Sequence, residues 1–164
     1  MPQWLTDDEQ RAWRGLVQMT SRLDARLNRQ LQQASGLSLA DYDVLVLLTE
    51  APDGRLRVFE IAEELQWEQS RLSHHLVRMQ RRGLVAREEC TTDRRGAFVV
   101  LTPAGREAIE KAAPEHVATV RRLVFDGLST EQVATLESFV SRVLSRLDAG
   151  EGAVPGDERS PETP

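Results

Sequence analysis

The chain has 164 residues, with 21 Lys and Arg against 26 Asp and Glu for a formal net charge of −5, and is 40% hydrophobic and 29% charged. That balance fits one soluble globular domain or two small ones, and it excludes disorder of the whole chain. A single cysteine, Cys90, excludes an internal disulfide framework and a cysteine-rich zinc module; no apolar run reaches the roughly 18 residues of a membrane span, and the acidic start is unlike a signal peptide, so a cytoplasmic protein is expected.

From Asp7 to about Ala34, the residues Trp13, Leu16, Val17, Leu23, Leu27 and Leu31 recur at helical spacing among Arg, Asp and Gln, which predicts one long amphipathic helix ended by Gly36. Ser38 caps a second helix, whose Tyr42, Val44, Leu45, Leu47 and Leu48 make it apolar on most sides, the pattern of a buried helix. Ala51-Pro52-Asp53-Gly54 is a turn signal, and Val58–Leu65 reads as a short helix with Val58, Ile61, Ala62 and Leu65 inward. A turn at Gln66-Trp67 leads into a helix from about Glu68 to Arg82, which Gly83 closes as a left-handed cap with Leu84 folding back.

Beyond Gly83 the period shortens. Leu84–Glu88 and Ala97–Leu101 read as strands flanking the polar stretch Cys90–Gly96, a β-hairpin with a basic tip. Thr102 caps the next helix with Pro103 as its first residue, Gly105 tolerated in its first turn and a bend expected at Pro114; Ile109, Val117, Val120, Leu123 and Val124 carry it to about Asp126. A last helix opens at Ser129 and sets Val133, Leu136, Val140, Val143 and Leu147 three and four apart, a heptad-type seam. The Pro-, Gly- and acid-rich tail 150–164 has Val154 as its only large apolar side chain and is expected to be disordered; there is no internal repeat.

The acidity of the chain is polarised. Between Gln69 and Gly96 seven arginines face three acids, a net of +4, so the remainder carries −9. A basic segment in an acidic protein is the footprint expected where one face meets a polyanion. Three short helices followed by strand, basic tip and strand describe a winged helix-turn-helix, whose third helix fits a major groove about 12 Å wide. Projected at 100° per residue, Leu72, Leu76 and Met79 form an inner stripe, while Ser70, His74, Val77 and Arg81 lie opposite, flanked by Arg71, Ser73 and Arg78. No acid occurs from Gln69 to Arg87, whereas an ordinary solvated helix would carry some. At the tip, Asp93 is close enough in sequence to hold the Arg95 guanidinium in one direction, as a minor-groove contact requires, or to bond its own backbone in a turn.

Asp93-Arg94-Arg95-Gly96, the strand to Leu101 and Thr102-Pro103-Ala104-Gly105 resemble the wing signature of the MarR (multiple antibiotic resistance regulator) family, and Trp67–Ser73 through Arg78-Met79 to Arg82–Val85 is similar to that family's recognition helix. The resemblance covers about Asp7 to Ala149. It implies a mainly α fold with a small β-hairpin, in which residues 1–36 and 103–149 form a helical dimerisation region and 37–102 the winged helix-turn-helix. It also implies a homodimer on a pseudo-palindromic operator of double-stranded DNA, acting as a bacterial transcriptional repressor. By match, Ser70, Arg71, Ser73, His74, Arg78, Asp93, Arg94 and Arg95 fall where base and phosphate contacts are made. A small aromatic or phenolic effector is implied where the helices meet the winged unit, and Trp13, Val17, Tyr42 and His116 could line its site, or else be core aromatics and their neighbours.

Other classes fit less well. The chain carries three His and one Cys but no glycine-rich phosphate loop, His-Glu-x-x-His or Gly-x-Ser-x-Gly, so neither an enzyme, a metal site nor a cofactor is expected. His74 and His75 point about 100° apart on their helix and cannot share one metal. A redox switch at Cys90 and a helical module that binds a protein partner remain as alternatives, the second leaving the arginine-rich face unexplained.

Overall fold

The computed structural model describes residues 4–89 and 97–151, in two compact units that divide between Val120 and Arg121. The first unit opens with helix α1 (Asp7–Ser35). Thr6 and Glu9 cap it reciprocally: Thr6 Oγ1 accepts from the Glu9 amide at 3.3 Å and Glu9 Oε2 accepts from the Thr6 amide at 2.7 Å. Gly36, at φ 70°, ends it. Only its last third is buried, through Leu27, Gln30 and Leu31, while Trp13, Leu16, Val17 and Met19 stay exposed.

Helix α2 (Leu39–Glu50) starts at a second reciprocal cap, Ser38 with Asp41, and buries Tyr42, Val44, Leu45 and Leu48 as its all-round apolar pattern requires. A 3₁₀ turn, Pro52–Gly54, leads into strand β1 (Arg55–Arg57), then helix α3 (Val58–Leu65) and helix α4 (Gln69–Arg81). Strands β2 (Val85–Glu89) and β3 (Ala97–Leu101) follow, and helix α5 (Pro103–Val120) runs unbroken through Pro114.

The expected hairpin is one side of a three-stranded antiparallel sheet in the order β1-β3-β2, with Leu56 opposite Val99 and Arg87 on the other flank of Val99. Strand β1 went unread because three residues with two arginines carry no alternation long enough to register, and only Leu56 of the three joins the core. One core serves the unit: Leu31, Leu45, Leu48, Ile61, Leu72, Leu76, Met79 and Val99 are all inaccessible or nearly so.

Gly105 is required, not merely tolerated. A Cβ at that position would lie 2.0 Å from the Leu84 carbonyl oxygen and 3.0 Å from Leu101 Cδ1. The approach is drawn in by Thr102, whose hydroxyl accepts from the Gly105 amide at 2.9 Å and faces the carbonyl oxygens of Gly83 at 2.6 Å and Leu84 at 2.9 Å. The first turn of α5 is thereby seated on the chain that leaves α4.

The second unit begins with a five-residue π-helical turn, Arg121–Phe125, where α-helix was expected to continue to Asp126. The Asp126 amide donates to the Arg121 carbonyl at 2.8 Å, the i to i−5 bond that widens the turn. Ser129 and Gln132 cap helix α6 (Thr130–Glu151) reciprocally, with Gln132 taking the position that Glu holds in α1. Leu136, Phe139, Val140, Val143, Leu144 and Leu147 are all exposed along it. The helix extends through Gly150 and Glu151, two residues into the stretch expected to be disordered; the rest of that stretch and the wing tip, Cys90–Gly96, lie outside the described residues.

Gly105→Ala should cost about 3 kcal/mol, at the upper end of what overpacking costs, because the added methyl meets backbone and cannot be accommodated by a rotamer change. The corresponding fall in thermal midpoint is the measurement; Ala104→Gly, one residue earlier on the exposed side, should lower it far less.

Candidate nucleic-acid interface

Helix α3 ends at Gln66, which takes up a left-handed conformation (φ 53°), and the Trp67 amide returns to the Ala62 carbonyl at 2.9 Å. This tight turn launches α4, which buries Leu72, His75, Leu76 and Met79, the i, i+3, i+4, i+7 stripe of a helix laid on a core. Three of the four were expected. His75 was not, since a histidine next to another histidine gives no apolar signal.

The opposite surface of α4 exposes Ser70, Arg71, His74, Arg78 and Arg81, with Ser73 and Val77 half-buried. The structure thus places the five α4 residues selected from the sequence on one acid-free surface of hydroxyls, imidazole and guanidiniums, a donor-rich surface complementary to a polyanion. His74 points outward and His75 inward. The remaining three, Asp93, Arg94 and Arg95, lie outside the described residues.

Behind this surface lies a buried polar network. Asp41 of α2, 3% exposed, accepts from Arg82 Nη1 at 2.7 Å and from the Ser38 amide at 2.9 Å, both at Oδ2. Its Oδ1 is 3.1 Å from Nε2 of His75, close enough for a polar contact though off the line of a well-aligned hydrogen bond. Arg82 also donates to the Gly36 carbonyl at 2.8 Å. Nδ1 of His75 faces Nη2 of Arg78 at 2.9 Å. A guanidinium has no acceptor, so Nδ1 must accept, and the neutral imidazole carries its proton on Nε2, toward Asp41. Burial is the largest single influence on Asp41 and opposes its charge, but the contacts with His75, Ser38 and Arg82 together outweigh it and hold the carboxyl well below the usual carboxylate range.

Two aromatic contacts complete the frame. Arg71 lies over the Trp67 ring, 4.6 Å from its centroid, and Trp67 meets the His75 ring edge-on at 5.5 Å. On the sheet, Arg55 and Arg57 lie 5.1 and 4.7 Å from the Phe98 centroid, two basic residues that sequence reasoning missed. The Arg-Leu-Arg alternation puts both arginines on the face away from Leu56, but three residues are too short a run to have marked them in the sequence.

The four residues marked for an effector fall in two places. Trp13 and Val17, 58% and 50% exposed, line an open groove formed by α1 alone. The rings of Tyr42 and His116 are in contact, tilted by 40° with centroids 4.3 Å apart, and Tyr42 lines a crevice of about 230 Å³ between α2 and α5 that includes Val46, Ile109 and Ala113. Burial lowers the pKa of His116; burial, and then the Asp43 carboxylate, raises that of Tyr42.

A model of the MarR family matches residues 35–96. The structure is similar to that of Sco3205, a MarR family transcriptional regulator from Streptomyces coelicolor solved in complex with DNA: 41% identity over 90% of this chain and 92% of that one, with a TM-score of 0.86. AbsC, a MarR family transcriptional regulator from the same organism, is 40% identical over 90% of this chain and 99% of its own, with a TM-score of 0.84. The transcriptional repressor MprA of Escherichia coli (strain K12) is 26% identical over 132 residues, 80% of this chain and 74% of that protein.

Asp41→Asn should lower stability at pH 7 by about 2 kcal/mol, the loss of charge-assisted hydrogen bonds at a buried site. The folded-state pKa of Asp41 is depressed, so its contribution is complete above the unfolded value near 3.9 and fades as the pH falls below it. The gap between wild type and variant in urea midpoint should therefore be constant from pH 7 to about 5 and narrow below about 4.

Proposed function

The chain belongs to the MarR family, and we propose that it is a DNA-binding transcriptional regulator that represses as a homodimer on a pseudo-palindromic operator. The observation that carries this reading is the acid-free outer surface of α4, with Arg71 and Arg78 each held against a ring. In it, α4 enters the major groove. Ser70, Ser73, His74 and the two arginines meet base edges and phosphates there, and at the wing Asp93 orients Arg95 beside Arg94 for the minor groove. The DNA complex of Sco3205, at 41% identity, supports the same assignment. A regulator of this kind needs no catalytic centre and works in the cytoplasm, where the chromosome is.

Residues 1–36 and 103–149 form the dimerisation region in this proposal and 37–102 the DNA-binding region. Its support is apolar exposure: Trp13, Leu16, Val17 and Met19 on α1, and Leu136, Phe139, Val140, Val143, Leu144 and Leu147 on α6, far more than a monomer needs to show water. We assign Trp13 and Val17 to that interface and keep the effector proposal at the Tyr42–His116 ring pair and the crevice that Tyr42 lines, where occupancy acts only through differential affinity for DNA-competent and incompetent arrangements.

Selection from a random duplex pool with purified protein should enrich a two-fold symmetric site with half-sites about 10 bp apart, and affinity for it should fall ~10³–10⁵-fold between 50 and 200 mM salt, as ~6–10 phosphate contacts require. No enrichment, or a flat salt response, overturns the DNA reading.

Ending the chain after Arg142 removes Val143, Leu144 and Leu147 and should abolish dimer and DNA binding together, whereas removing 152–164 should leave both intact. Sedimentation of the two truncations decides it; a folded, DNA-binding monomer from the first would sink the dimer proposal.

A further inference from the structure

Arg71 and Arg78 stand seven residues apart, two helical turns, and so lie along one line of α4. Each has its guanidinium attached to a ring from below: Arg71 lies over Trp67, and Nη2 of Arg78 donates to Nδ1 of His75 at 2.9 Å. The two rings touch each other at 88°, and the second is 7% exposed and backed by Asp41. The outward arginines are thus mounted on one connected frame that runs from Trp67 through His75 to Asp41, Arg82 and the Gly36 carbonyl.

From this we infer that Trp67 and His75 are positioning residues that set base preference, His75 by aiming Arg78 and Trp67 by aiming Arg71. The inference rests on the DNA reading above and goes beyond it, since neither ring is placed in contact with DNA. A free arginine samples many rotamers, and each is lost on binding; a guanidinium already held in one direction loses less and selects a partner that fits that direction. One of the five N–H groups of Arg78 is engaged by His75, which leaves the others of this exposed side chain to donate elsewhere. Two parallel donors suit the O6 and N7 acceptors of guanine, so Arg78 is expected to read a guanine. His75 can do this only as an acceptor at Nδ1, which its Nε2 proton, facing Asp41, ensures.

The test uses the full-length protein, the site selected with it, and every single-base variant of that site. Arg78→Ala should flatten preference at one position of each half-site by roughly 5- to 150-fold. His75→Met, which fills the buried slot without a comparable acceptor, should flatten the same position about 10-fold and leave the salt slope unchanged. His75→Gln, whose amide oxygen can accept from Arg78, should restore the preference. In an Arg78→Ala background, His75→Met should change nothing further. Trp67→Ala should reproduce the pattern of Arg71→Ala, and Trp67→Phe, which keeps an aromatic face, should restore it; this pair remains informative if His75→Met does not fold. Weakening that is uniform across all bases, or that adds to the loss in Arg78→Ala, overturns the inference and leaves the DNA reading standing. Failure of the wild type to select any site overturns that reading itself.

Discussion

One buried carboxylate joins three helices. Asp41 sits in the third position of α2, where it closes the cap with Ser38, and from there it reaches His75 and, through Arg82, the carbonyl of Gly36 at the end of α1. An ion this deeply buried is costly to desolvate, and an apolar core of equal volume serves stability as well or better. What a charge adds is direction. Arg82 is anchored at two points forty-one and forty-six residues earlier in the chain, and His75 is held with a defined face to Arg78, so α4 has one rotation and one register against α2. An oily contact alone would let α4 roll by several degrees, and a surface that reads base edges tolerates little of that.

Much of this architecture was legible because its signals are local and periodic. Ser38, Thr102 and Ser129 each stand at a helix start with a bonded side chain; Gly36 and Gly83 end helices at positive φ; Leu72, Leu76 and Met79 mark the inner face of α4. The family resemblance, read from the wing motif and α4, agrees with the later match to residues 35–96. What was missed depends on partners distant in sequence. Strand β1 exists because β3 lies beside it, His75 is buried because Asp41 waits there, and Gly105 is glycine because the Leu84 carbonyl comes within reach of where a Cβ would be. The π turn at Arg121–Phe125 carries no signal that periodicity can separate from ordinary helix, since Val120, Leu123 and Val124 keep the three- and four-residue spacing of an α-helix into it. Of the candidate site, the outward residues of α4 were readable by elimination, as a basic surface without acids; the frame behind them was not.

The apolar surfaces of the two units differ in kind. On α1 the exposed Trp13, Leu16 and Val17 border a groove with Thr20, Ser21 and Asp24, so apolar and polar groups alternate at close range. On α6 the exposed row is almost wholly aliphatic or aromatic. A mixed surface discriminates among partners through its unmet polar groups, whereas a greasy one supplies strength with little discrimination. In the proposed dimer, α6 would then supply adhesion and α1 the choice of mate.

The hydroxyl of Thr102 makes a mechanical statement as well as a cap. It accepts from the Gly105 amide while facing the carbonyls of Gly83 and Leu84, and with no side chain at Gly105 the first turn of α5 rests directly on the backbone that leaves α4. There is no compressible layer of side chains between the two helices at that point. Any tilt of α5 is delivered to the C-terminal end of α4 as a displacement of similar size, in the way a rigid bracket moves with the beam it is bolted to.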